Sequence, residues 1–221
     1  MTFRKRYYPL IFLIFGLLII FAGCSKEKTP VDKMYTVLEK VAAAEQEFEE
    51  QQDPLVTLEK KEKGIYDQII ELGLKEYDQI VKLSDEALLL ADQRKEHMEK
   101  ETHSIKQSQK EFNKVAKIKD QFEDKALTKL GDELYKIMME RYQAHDVLYI
   151  EYNEALKNDK ELYLMFKNKD LPLEDLEVQV NKLNETYQKV YEANERFNTL
   201  TEQYNDKKTS FYKHAGLNSS K

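Results

Sequence analysis

From Val31 to Phe211 apolar residues return every three or four positions, and this period decides what the chain can fold into. A helix gathers such residues on one face, whereas a half-buried strand needs strict alternation. Four stripes are legible. Met34, Val41, Phe48, Leu55 and Ile69 fall at sevens or multiples of seven, with Glu62 the one polar member. Tyr77, Ser84, Ala91, Met98, Ile105 and Phe112 form the second. Leu74, Val81 and Leu88 stand between its members and give way to Lys95, Thr102 and Gln109, which predicts a weakly apolar, loosely packed middle. The third holds Leu127, Leu134, Met138, His145, Leu148, Tyr152, Ala155, Leu162 and Phe166. The fourth holds Leu176, Val180, Leu183, Tyr187, Val190, Phe197, Tyr204 and Phe211.

The breaks between stripes set the topology. Asp53-Pro54 interrupts the first, and a proline inside a helix loses a hydrogen bond and crowds the carbonyl four residues back. The register survives across it, so the expectation there is a kink or a restart without reversal. Leu72-Gly73-Leu74 is the expected reversal, glycine taking the left-handed conformation at a helix end. The pattern lapses around residues 118–123 and again from Asn168 to Pro172, and Gly216 stops the last helix. Segments 31–72, 74–117, 124–168 and 172–214 are then each roughly 40 residues, or about 60 Å as helix. The expected fold is all-α: an elongated up-and-down four-helix bundle with the left-handed twist of a seven-residue repeat. Without a turn at Gly73 the alternative is a long three-helix bundle.

The first 24 residues read as an address. Arg4, Lys5 and Arg6 precede Leu10–Phe21, an apolar run interrupted only by Gly16. That run is shorter than the ~20 residues a spanning helix needs and suits a signal-peptide core. Phe21, Ala22 and Gly23 then lead into Cys24, the single cysteine of the chain. This exit resembles the lipobox of bacterial lipoproteins, although Phe21 stands where Leu, Val or Ile is usual. The resemblance implies signal-peptidase recognition of Phe21, Ala22 and Gly23, cleavage before Cys24, and diacylglycerol and acyl groups on that cysteine. A lone exposed thiol outside the cell would otherwise oxidise. The expected organisation is a signal peptide over 1–23, a tether over 24–30, one helical domain over 31–214 and a tail over 215–221. The expected location is the outer face of the cytoplasmic membrane.

Charge narrows the partners. The net charge of −6 becomes −9 once residues 1–23 and their three cations are removed. Bulk charge therefore opposes nucleic acid and other polyanions, anionic wall polymers included. No catalytic constellation is visible. Three residues before His97, His103, His145 and His214 stand Arg94, Lys100, Tyr142 and Phe211, so the Glu-x-x-His pattern of di-iron bundles is absent. There is no phosphate-binding glycine loop and no nucleophile elbow. The expectation is a non-enzyme with neither cofactor nor metal. His145 reads as a hydrogen-bonded core histidine, and Asn194 as a polar residue fixing register. Tyr135, Tyr142, Tyr149 and Tyr163 repeat at the edge of the third stripe. They read as an aromatic strip for glycan rings or a protein partner, or as rings packed at a bundle seam with wet hydroxyls. Tyr187 and Tyr191 extend either reading.

Several stretches carry a resemblance over nearly the whole chain past Cys24. They are Phe21-Ala22-Gly23-Cys24, the run from Phe48 to Leu55, Ile70-Glu71-Leu72-Gly73, Leu83-Ser84-Asp85-Glu86-Ala87, and Phe211 to Leu217. In these the chain resembles the YkyA-type family of cell-wall binding lipoproteins of Gram-positive bacteria. The resemblance implies a helical, surface-anchored, non-enzymatic protein in contact with peptidoglycan, and it hands over no binding residues. The alternative is a helical scaffold that docks another membrane or exported protein through an exposed stripe.

Overall fold

The computed structural model describes residues 28–72 and 76–217. Among them the chain is helical throughout: α1 (Pro30–Ala44), α2 (Gln46–Leu72), α3 (Tyr77–Phe112), the short α4 (Val115–Ile118) with a 3-10 turn at Lys119–Gln121, α5 (Lys125–Phe166) and α6 (Leu173–His214). With α1 and α2 forming one arm, these make four long antiparallel arms of an elongated bundle, as the stripes predict. Phe21–Cys24, the turn at Gly73-Leu74 and the last residues from Asn218 lie outside the described residues.

Local chemistry sets three of the helix ends. Thr29 accepts from the Asp32 N–H at 3.1 Å, the Asp32 carboxylate accepts from the Thr29 N–H at 3.1 Å, and Pro30 opens the first turn. Asp124 caps α5 by accepting from the N–H groups of Ala126 and Leu127. Gly216 takes φ 68°, and the Leu217 N–H returns to the Tyr212 carbonyl at 2.9 Å.

The break in the first arm is not where proline predicts it. Helix α2 runs through Pro54, and the discontinuity falls nine residues earlier, at Glu45. Its cause is a side chain of α3. The Ser104 hydroxyl donates to the Ala44 carbonyl at 2.6 Å and accepts from the Phe48 N–H at 3.0 Å. These two backbone groups would otherwise bond each other, so Ser104 is inserted into the helical ladder.

Packing follows chain order. Helices α1 and α2 lie on α3, α3 on α5, and α5 on α6. The end at which α1 starts is closed by a large aromatic and aliphatic cluster including Met34, Leu38, Phe112, Leu134, Phe197 and Phe211. There Tyr35 packs on Tyr212 with ring centres 5.5 Å apart, and the Tyr212 hydroxyl donates to Glu39 at 2.9 Å. Two smaller apolar clusters follow toward the far end, one around Leu55, Met98 and Tyr152, the other around Ile65, Ile80 and Tyr163.

The middle of α3 is not loose. Its second buried column is Ile80, Ala87, Arg94, Glu101 and Ser108, one position before the expected Val81, Leu88, Lys95, Thr102 and Gln109. Every polar member of that column is buried and bonded across helices. Glu101 accepts from Gln52 at 2.9 Å and meets His145 Nε2 at 3.1 Å, so His145 is the hydrogen-bonded core histidine expected. Ser108 lies 2.5 Å from a Glu45 carboxylate oxygen and 2.6 Å from the Tyr142 hydroxyl. Arg141 of α5 reaches the same carboxylate at 2.8 Å.

Candidate functional site

Beyond Phe48 and Phe197, whose ring centres lie 5.6 Å apart, a groove opens between α2 and α6. Its volume is about 670 Å³. The sequence explains the gap. The apolar stripe of α6 divides, and its first half (Leu176, Val180, Leu183, Tyr187, Val190) is only half-buried, whereas Phe197, Tyr204 and Phe211 are buried. In the first half α6 turns a different flank, Gln179, Thr186 and Ala193, into contact with α5. Two bonds hold that flank: Asn158 donates to the Thr186 hydroxyl at 2.9 Å, and Gln179 donates to the Asn158 carbonyl at 2.9 Å. The stripe residues Val180, Leu183, Tyr187 and Val190 are left lining the groove, opposite Val56 and Tyr66 of α2.

The floor is built on Arg94. This side chain is 2 % exposed and touches three other helices. Nη1 donates to Glu62 of α2 at 2.6 Å and to Asp159 of α5 at 3.0 Å. Nε donates to the Tyr152 hydroxyl at 3.0 Å and Nη2 to the Tyr187 hydroxyl of α6 at 3.1 Å. The two phenols pass the chain on: Tyr187 donates to Asp159 at 2.5 Å and Tyr152 to Glu59 at 2.7 Å. Burial pushes both phenols well above the usual tyrosine range, so they stay neutral donors.

One guanidinium does not balance two buried carboxylates. Burial pushes Glu62 up to about 7, partly opposed by Arg94 and reinforced by Asp159, and burial raises Asp159 as well. The group's ordinary value is 4.5, so between about pH 5 and pH 7 the folded state holds a proton that the unfolded chain has lost. Stability therefore falls as pH rises through that window, by at most about 3 kcal/mol. Denaturant midpoints measured from pH 5 to pH 8 should decline toward neutrality and then level, and Glu62→Gln should flatten the decline. An unchanged slope in that variant would remove Glu62 as its source.

The tyrosines expected as a strip are placed differently. Tyr142 and Tyr163 are buried, at 1 % and 3 % exposure. Tyr135 is half-buried and stacks on Phe112 at 5.9 Å, and Tyr149 is half-buried against the middle apolar cluster. The four rings make no common surface. Nor is the hydroxyl of Tyr142 wet, since it bonds to Ser108 in the core. Of the two further candidates, Tyr187 lies in the Arg94 cluster and Tyr191 stands 60 % exposed on the groove. Asn194 is exposed on the groove too and fixes no buried register; its neighbour Ala193 is the buried residue. Sequence reading placed Glu62 on the first stripe without a role and missed Arg94 and Asp159. Their signal was charge recurring in core register: Glu62 on the first stripe, and Arg94 seven residues after Ala87 and seven before Glu101.

Among the described residues no helix is long and apolar enough to cross a membrane. Comparison with known proteins gives three results. The family model described as "Putative cell-wall binding lipoprotein", YkyA, matches residues 29–214. A curated relative, "Uncharacterized lipoprotein YkyA" of Bacillus subtilis (strain 168), is 35 % identical over 201 residues, which is 91 % of this chain and 90 % of the relative. A crystal structure of a conserved protein of unknown function from Staphylococcus aureus superposes with a TM-score of 0.73 at 17 % identity, covering 86 % of this chain and 98 % of the other. That last likeness concerns the fold alone.

Proposed function

The chain belongs to the YkyA family, and we propose that it is a non-enzymatic binding lipoprotein. In this reading it is anchored through acylated Cys24 to the outer face of the cytoplasmic membrane, and it holds a component of the peptidoglycan in the groove between α2 and α6. The observation that carries this reading is the polarity of the bundle. Helix α1 starts five residues after Cys24's near neighbour Ser25, and the end at which it starts is closed. The groove begins at Phe48 and reaches Tyr66, about 30 to 55 Å further along the arm at 1.5 Å per residue. A lipid at one end and an open cleft toward the other suit a protein that reaches from membrane to wall.

The test is sedimentation of the full-length protein, purified in detergent, with purified cell-wall sacculi. The protein is expected in the pellet at both low and high salt, because a net charge of −9 past the signal leaves no bulk attraction to an anionic wall that salt could screen. Protein that stays in the supernatant at both salts would end the wall-binding reading.

A further inference from the structure

We propose that the α2–α6 groove is a receptor for an extended peptide carrying a primary ammonium on an aliphatic stem, as the free amines of wall peptides do. The inference rests on the wall-binding reading and gives it a ligand class.

Charge complementarity selects the ammonium. Four acids line the groove, Glu59, Glu62, Glu101 and Asp159, against two cations, Arg94 and Lys63. Arg94 is not free to receive an anion, and Lys63, its side chain 74 % exposed, is held by a surface pair within α2. Arg94 is engaged by Glu62, Asp159, Tyr152 and Tyr187, and Lys63 pairs with Asp67 at 2.7 Å. Glu101 is held by Gln52 and His145. That leaves Glu59 at the lip. Its side chain is 42 % exposed, it accepts one bond from Tyr152, and the nearest Arg94 nitrogen is 3.8 Å away. With Glu62 holding a proton up to about pH 7 and Asp159 met by Arg94, the accessible negative charge of the groove is the Glu59 carboxylate at its lip, which favours an ammonium over a phosphate or carboxylate.

The walls select the rest. Val56, Val180, Leu183 and Val190 offer apolar surface above the acids, which a methylene stem covers as its charged tip reaches down. Along α6 the groove runs from Val180 to Asn198, about 27 Å, the span of an extended peptide of about eight residues. Exposed Asn184, Asn194 and Asn198 line the same side, each with a carboxamide that both donates and accepts, as main-chain amides require.

Calorimetry on the full chain in detergent tests this. The probe is the N-terminally capped wall pentapeptide with a free lysine amine, compared with the same peptide acetylated on that amine. The free-amine peptide is expected to bind at least tenfold more tightly than the acetylated one. Glu59→Gln should weaken it about tenfold, and Glu195→Gln, exposed on α6 outside the groove, should leave it unchanged. Equal affinity for the two peptides, or undiminished binding by Glu59→Gln, overturns the proposal. Sacculi separate the two ideas. If native and amine-acetylated sacculi retain the protein equally, the wall reading stands and the ammonium receptor falls. If the peptide binds as described and sacculi do not, the receptor stands and the wall reading falls.

Discussion

Replacing Arg94 with methionine is expected to cost about 3–5 kcal/mol of folding stability, a fall in melting temperature of roughly 10 °C. The volume is nearly kept, so the cost is not a cavity. It comes from Glu62 and Asp159, side chains 5 % and 6 % exposed, which lose the one cation that pairs with them among the described residues. It comes also from Tyr152 and Tyr187, whose hydroxyls lose a donor. Thermal unfolding by circular dichroism measures the loss. The triple variant with Glu62→Leu and Asp159→Leu should recover most of it, because a buried ion pair exchanged whole for apolar side chains is often neutral or stabilising. A single variant as stable as the parent would show that the cluster contributes nothing net. Recovery in the triple variant would place the cost in stranded charge and not in packing.

The second large effect is at the other end of the chain. Cys24→Ala is expected to bring incorporation of labelled fatty acid to background, and either to release the protein or to stall it as uncleaved precursor held by its apolar run Leu10–Phe21. The chain has a single cysteine, so no other thiol can take the lipid. Each buried methylene is worth about 0.8 kcal/mol and stable anchoring needs more than one chain, so losing both acyl attachments leaves no graded remainder. Label that persists in the variant would refute the lipobox reading of Phe21-Ala22-Gly23-Cys24.

How much was legible in advance differs by level. Helix period, arm length and the stops near Asn168 and Gly216 were carried by local rules, apolar spacing and turn chemistry, and the structure follows them. The break at Glu45 was not legible, because its cause is Ser104, 59 positions away in the chain, whose hydroxyl enters the ladder between Ala44 and Phe48. Pro54 carried a louder local signal and broke nothing, since the arm continues on both sides of it. The groove was invisible for a similar reason. Periodicity says that Val180, Leu183, Tyr187 and Val190 share a face, but not whether another helix covers that face. The buried flank Gln179, Thr186 and Ala193 is mostly polar and reads as solvent-facing. Glu62 stood out as the polar member of the first stripe but was given no role, and Arg94 was given none either, because a charge in core register is informative only when its partner on another helix is known.

Apolar layers alone would let long parallel rods slide by a turn, one leucine replacing another at little cost. Here that motion is blocked. Moving α3 one turn, 5.4 Å, against its neighbours would take Arg94 from Glu62 and Asp159, Glu101 from Gln52 and His145, and Ser104 from the broken ladder, all in a single step. The bundle therefore behaves mechanically as a keyed shaft with one permitted assembly length. A load applied along its axis between the two ends would be borne without creep until the keys fail together.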